Sequence, residues 1–144
     1  MNILCVIFIT VSLLIFAQTP RDTTKKNPLN DVFIEAGGNT YYCSLNYERI
    51  LFHHNMHQLG IRTGASPNGM PILIDYFLGR NHHYLEVGAG VRLTEKIQGA
   101  LRIMYRYQFK KGYYASIGFT PFLLRVQPHF LYQPWAGIDI GYKF

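Results

Sequence analysis

The sequence predicts an all-β fold, an eight-stranded antiparallel up-and-down transmembrane β-barrel preceded by a cleavable signal peptide, and three observations carry that prediction. Beyond residue 29 no stretch of useful length has helical periodicity, whereas apolar and polar residues alternate with period two. Gly, Asn and Pro interrupt this alternation at the intervals that hairpins need. The charged residues of the alternating segments fall on one face and leave the other face apolar and aromatic. A chain of 144 residues has room for one such domain.

Residues 3–17 form an uncharged apolar run that turns polar at Gln18. The run is shorter than the roughly 20 residues a spanning helix needs, so it reads as a signal peptide, 1–17, with cleavage before Gln18. Cys5 lies too near the start, without a small residue before it, to be a lipoprotein acylation site. Residues 18–29 contain Pro20, Pro28, Thr, Lys and Asn with almost nothing to bury, which predicts a flexible periplasmic tail. The barrel then occupies 30–144. Once Cys5 leaves with the signal, Cys43 is the single thiol, so no intramolecular disulfide can staple the fold. Cys43 is expected as a small apolar filler. The net charge of +6, with Arg21, Lys25 and Lys26, comes with no recognition helix, zinc pattern or basic-aromatic platform, and nucleic acid is not expected as a partner.

The first strand is expected over 31–37, turned by Gly38 and Asn39, and the second over 41–52, followed by a polar bend of His53, His54, Asn55 and Met56. The third covers about 58–66. Pro67, Asn68 and Gly69 then make a turn, because Pro presets one backbone angle and Asn-Gly tolerates the left-handed region. The fourth strand is 71–79, the fifth 83–93 and the sixth 100–109, with Lys110, Lys111 and Gly112 reversing the chain. The seventh is 113–120. A Pro-rich aromatic connection, 121–134, reads as the longest loop, either extending the neighbouring strands or capping the barrel, and 136–144 closes the set.

Which face meets lipid is decided by the charges. One face collects Glu35, Ser44, Asn46, Glu48, Arg62, Asp75, Glu86, Gly88, Gly90, Arg92, Arg102, Arg106, Gln108, Asp139 and Lys143. The other collects Val32, Ile34, Leu45, Leu59, Ile61, Ile74, Leu85, Val87, Leu101, Ile103, Ile117, Ile138 and Ile140, almost without charge. An eight-stranded interior is just wide enough for side chains to fill. A polar plug is therefore expected, in which Glu35, Glu48, Asp75, Glu86 and Asp139 find partners among Arg62, Arg92, Arg102, Arg106 and Lys143. With both termini on the periplasmic side, the outward aromatics Tyr47, Tyr76, Tyr105, Tyr107, Phe109, Tyr113, Tyr142 and Phe144 fall at the lower ends of the strands, as an interfacial aromatic belt would.

At this point the chain resembles the small eight-stranded outer-membrane β-barrel proteins of Gram-negative bacteria, of the OmpX-like size class. The resemblance spans residues 31–144 and rests on Ser44-Leu45-Asn46-Tyr47-Glu48-Arg49, on His83-Tyr84-Leu85-Glu86-Val87-Gly88-Ala89-Gly90, and above all on the ending Gly137-Ile138-Asp139-Ile140-Gly141-Tyr142-Lys143-Phe144. It implies a location in the cell outer membrane. It also implies outer-membrane lipids and lipopolysaccharide as surroundings, periplasmic chaperones before insertion, and Tyr142 and Phe144 as the signal to the barrel-assembly machinery. The short loops here depart from adhesin-like members of the class.

Chemistry is sparse. His53, His54 and His57 in one bend and His82 and His83 in the next lie at the same end, but a metal site needs three or four ligands at fixed geometry. His129, with Ser116 and Asp139 on flanking strands, is the one set resembling a hydrolytic triad, and Ser116 points into the expected lumen. Gly88-Ala89-Gly90 precedes no helix and reads as strand packing, not a phosphate cradle. Arg92, Lys96 and Arg125 near the upper rim could meet lipopolysaccharide phosphates, and the apolar loop 121–134 could dock an envelope protein. The expected function is thus a non-catalytic, cofactor-free envelope barrel with a structural or interaction role. The alternatives are a lipid-A-modifying enzyme and a secreted soluble barrel carrying an apolar ligand.

Overall fold

The computed structural model describes residues 30–40, 42–95, 97–126, 129–133 and 135–144, with the backbone alone for 122–126 and 129–133. The expected signal peptide (1–17) and tail (18–29) lie outside the described residues, as does Lys96. The strands are β1 (Asn30–Gly37), β2 (Cys43–His54), β3 (His57–Ala65), β4 (Met70–Arg80), β5 (His83–Leu93), β6 (Ile97–Gln108), β7 (Tyr113–Phe119), β8 (Phe122–Val126), β9 (His129–Gln133) and β10 (Ala136–Lys143). Sequential neighbours from β1 to β7 pair antiparallel, and β10 pairs with both β7 and β1. Eight strands thereby close into an antiparallel barrel, which removes every edge from the closed part of the sheet.

The connection 121–134 contains strand where a loop was the first expectation. β8 pairs with β6 at Gly99 and Ala100, beyond the end of the β6–β7 ladder, and β9 pairs with β8. Of the two roles expected for this segment, it takes the one that extends neighbouring strands.

The turns at one rim are tight because single residues accept the left-handed region. Asn55 (φ 53°) and Asn81 (φ 61°) each open a two-residue hairpin, so β2 continues through His53 and His54 and the expected four-residue bend shrinks to Asn55–Met56. Lys111 (φ 72°) and Gly112 (φ 89°) turn β6 into β7. Asn30 and Phe144 exchange two backbone hydrogen bonds, 3.1 and 2.8 Å, so the barrel's two chain ends meet at this same turn rim. At the opposite, loop rim, Ser66 and Gly69 bracket Pro67 and Asn68 with paired backbone bonds, and Ser66 Oγ accepts from the Asn68 N–H at 3.1 Å.

β2 carries a bulge between Ile50 and Phe52 in its pairing with β3. Above the bulge Glu48 and Ile50 point inward, and below it Leu51 and Phe52 are both exposed. Elsewhere the period of two is kept. In β10 Asp139 and Gly141 face in while Ile138, Ile140 and Tyr142 face out.

The lumen is not made of ions and small spacers alone, as the sequence suggests. Phe33, Ile50, Leu73, Phe77, Met104 and Tyr114 are buried within it. They share the phase of the inward charges, and a lumen packed to the density of a protein interior needs their volume. Arginines stack on them: the Arg62 guanidinium lies 4.7 Å from the Phe33 ring centre, and that of Arg106 lies 4.6 Å from Phe77 and 4.1 Å from Tyr114. Gly141 makes room for this layer, since a Cβ there would sit 2.5 Å from both Phe33 Cβ and Tyr114 Cζ. Gly141→Ala is therefore expected to destabilise the barrel by about 1–3 kcal/mol through overpacking. The measurement is the urea midpoint of unfolding, and an unchanged midpoint would mean that the lumen is loosely filled.

Candidate functional site

Two features dominate the molecule: a charged network inside the barrel and an apolar wall with an aromatic rim outside it. Inside, Arg62 on β3 bonds Glu35 of β1 at 2.6 Å and reaches Asn46 of β2 at 3.1 Å. Arg102 on β6 meets Glu86 of β5 and Asp139 of β10, each at 2.6 Å, and lies 3.7 Å from Glu35. Two pleat repeats along β6, Arg106 meets Asp31 at 2.7 Å and both Glu48 and Glu86 at 2.9 Å. All these side chains are buried, in a medium where an unpaired ion would be costly, and the pairs Arg62–Glu35, Arg102–Asp139, Arg106–Asp31 and Arg106–Glu48 are charge-assisted hydrogen bonds. The arginines of β6 thus tie β1, β2, β5 and β10 together across the lumen.

The inward positions expected from the sequence are found inside. Glu35, Ser44, Asn46, Glu48, Arg62, Asp75, Glu86, Arg92, Arg102, Arg106 and Asp139 are buried, and Lys143 is half-buried with its Nζ donating to Gln58 Oε1 at 3.3 Å. Acids and bases nearly balance there as expected, but the expected charged partner for every ion is not found. Asp31 joins as a sixth buried acid, a position the sequence signals by lying four residues before Glu35 in the same phase. Arg92 spends its donors on Gln98 and on the Asn39 carbonyl at 3.0 Å, so it ties down the loop rim instead of offering a cation to external phosphates. Asp75 meets no N–H or O–H donor at either carboxylate oxygen and has no ion pair among the described residues. The turn Gly38–Thr40, with Asn39 and Thr40 buried, folds over the lumen against β2, β4, β6 and β10, a lid the sequence does not announce.

Outside, Tyr76, Tyr105, Tyr107, Phe109, Tyr113, Tyr142 and Phe144 are exposed and Tyr47 is half-buried. Neighbouring rings touch along the turn rim, Tyr107 with Phe109 at 4.9 Å between centres and Tyr113 with Tyr142 at 5.0 Å. His57, His82 and His83 each lie against a ring of this rim. His57 Nδ1 pairs with the Tyr76 hydroxyl, His83 Nδ1 with the Tyr105 hydroxyl at 2.6 Å, and His82 Nδ1 with the Gln108 carbonyl at 2.7 Å. Among the described residues the one group of three with metal-ligating spacing is Glu48, Asp75 and Glu86.

Ser116 and Asp139 face each other across the β7–β10 ladder, but both are buried in the lumen and Asp139 is held by Arg102. The side chain of His129 lies outside the described residues, as do those of Arg125 and the rest of β8 and β9. Cys43 is exposed at the start of β2, facing outward instead of filling a gap, because it falls one residue out of phase with buried Ser44. Gly88 and Gly90 serve strand packing: a Cβ on Gly88 would lie 1.9 Å from Asp75 Oδ1, and one on Gly90 2.1 Å from the Ile72 carbonyl oxygen.

No protein-family model, curated protein or solved structure matches this chain.

Arg102→Met is expected to strand Glu86 and Asp139 and lower stability by about 3–5 kcal/mol, as breaking one side of a buried ion network does. Urea unfolding followed by tryptophan fluorescence would read it. A loss below about 1 kcal/mol, the range of exposed ion pairs, would mean that water reaches the network.

Proposed function

We propose that this protein is a non-catalytic integral outer-membrane β-barrel with a side-chain-filled lumen and a structural or interaction role at the cell envelope. The observation that carries the reading is the inverted polarity of the closed barrel. Apolar side chains cover the outside around the circumference, Ile34 at 56% exposure, Ile74 at 59%, Ile117 at 58% and Ile140 at 66%, while the charges are inside. Water would reward the opposite arrangement. An apolar surface of this extent is stable against acyl chains, and soluble monomers rarely expose patches larger than a few hundred Å². A soluble carrier of an apolar ligand would have the reverse distribution, an oily interior and a charged exterior.

The dimensions agree with that environment. Strands β2 to β6 have 9 to 12 residues each, against the roughly 9–11 needed to cross a bilayer at a tilt, while β1, β7 and β10 have 8, 7 and 8. The Tyr and Phe rim with its hydrogen-bonded imidazoles suits the headgroup level, where a ring's apolar body and polar tip are both satisfied. On this reading the chain is exported with its amino-terminal signal removed and belongs with the small outer-membrane barrels of Gram-negative bacteria. Chaperones carry it across the periplasm, and Tyr142 and Phe144, outward at the end of β10, present it to the assembly machinery. Lipids and lipopolysaccharide surround it. The extended hairpin of β8 and β9 at the loop rim is the part best placed to meet another envelope protein. The packed lumen leaves no aqueous path, so the proposal includes no transport.

The mature chain is expected to fold only with an amphiphile and to migrate faster on a detergent gel before boiling than after it. Cooperative refolding in plain buffer would sink the membrane reading. In bilayers Ile140→Lys is expected to cost about 2–4 kcal/mol, the penalty for a cation on the lipid face near mid-depth. If Ile140→Lys unfolds at the wild-type urea concentration in vesicles, β10 does not face lipid.

A further inference from the structure

We propose that Glu48, Asp75 and Glu86 form a binding site for one calcium ion within the barrel. The three residues come from β2, β4 and β5, and each offers a carboxylate oxygen within 4.8 Å of the other two. That spacing is what oxygens adopt around a shared ion bonded to each at roughly 2.3–2.6 Å. All three side chains are fully buried.

A second observation points to an occupant. Neither oxygen of Asp75 meets an N–H or O–H donor among the described residues, Glu48 Oε1 lacks one as well, and the side chain at hydrogen-bonding distance from Asp75 is the Glu48 carboxylate itself. A carboxylate in a closed lumen without a donor is not tolerated unless something positive meets it. The neighbouring cation does not reach Asp75. Arg106 meets Glu48 and Glu86 at 2.9 Å each and is itself stacked between Phe77 and Tyr114, while Arg102 is taken up by Glu86, Asp139 and Glu35. Gly88 contributes by absence, since the space of its missing Cβ is where Asp75 Oδ1 sits.

The charge agrees in sign. Arg106 is shared with Asp31, and Arg102, which meets Glu86, is shared with Glu35 and Asp139, so the two arginines that touch the three carboxylates leave them net negative. The donor set is all oxygen, which suits a hard cation and not zinc, whose sites draw on His and Cys. Calcium fits better than magnesium. Asp75 offers both oxygens, Glu48 its Oε1 and Glu86 the remaining lone pairs of oxygens shared with Arg102 and Arg106, an irregular set that calcium tolerates, whereas magnesium demands a near-ideal octahedron and keeps several of its waters, for which a packed lumen has no place. Because the barrel is closed, the ion enters during folding and leaves only on unfolding. It would act as a pin joining β2, β4 and β5 on the side of the lumen where the arginines do not reach Asp75. The inference depends on the closed barrel and not on the membrane reading.

The test uses the full chain, folded in detergent micelles with calcium chloride and then passed through EDTA. One calcium per chain is expected to remain in the folded protein by atomic emission and to be released when urea unfolds it. Refolding in EDTA should give a lower unfolding temperature, restored by refolding with calcium chloride and not with magnesium chloride. Asp75→Asn is expected to lose both the retained calcium and the calcium-dependent shift. Should that variant fail to fold, Glu86→Gln is measured the same way, and the wild-type retention decides alone if neither folds. Wild-type protein that retains no calcium and unfolds alike with calcium and EDTA overturns the proposal and leaves a shared proton as the occupant. Retention undiminished in a folded Asp75→Asn barrel overturns it as well, by moving the ion elsewhere.

Discussion

The structure depends on the ion pairing of three arginines, Arg62, Arg102 and Arg106, with carboxylates on strands from one to four places away around the ring. In an ordinary domain the apolar surface is spent on the core. Here most of it is turned outward, so the interior must be held by directional contacts that tolerate no solvent and no missing partner. That requirement explains why the network branches. Each of the two arginines on β6 engages more than one acid, and Glu86 and Glu35 each serve two arginines.

The apolar residues in the lumen complete this arrangement. Phe33, Phe77 and Tyr114 give the guanidinium planes a surface to lie on, which holds their donors toward the carboxylates and excludes water that would weaken the pairs. Gly88 and Gly141 are the counterpart, thinning the wall where inward side chains of the two neighbouring strands need the space, Asp75 and Arg102 at the first and Phe33 and Tyr114 at the second. At the loop rim Gly38–Thr40 and Arg92 close the top of the same packed column. The barrel is thus one continuous solid, and its proposed membrane role follows from its outer surface, where among the described strands Arg49 of β2 is the one charged residue turned outward away from a strand end.

Much of this was legible in the chain. Alternation in 83–93 matched β5 residue for residue, and the inward sequence Glu86, Arg92, Arg102, Arg106 and Asp139 followed from phase alone. Phase also carried Asp31, Phe33, Phe77, Met104 and Tyr114 inward, but a reading guided by charge passes over apolar residues that sit in register with ions. The bulge after Ile50 broke the phase of β2, and nothing in its residue types marks the position. The connection 121–134 reads as loop because Pro121, Pro128 and Pro134 punctuate it, yet its stretches between the prolines pair once β6 offers a free ladder beyond β7.

The sequence by itself determined the class of fold, the number of strands in the closed barrel and the identity of its two faces, because a period of two is a local property of consecutive residues. Which acid meets which arginine was decided only by the closed tertiary structure. The stagger of eight strands around a ring brings together positions as far apart as Asp31 and Arg106, and no local pattern encodes that stagger. The same stagger leaves Asp75 facing two other carboxylates, a juxtaposition of β2, β4 and β5 that exists only once the strands have closed.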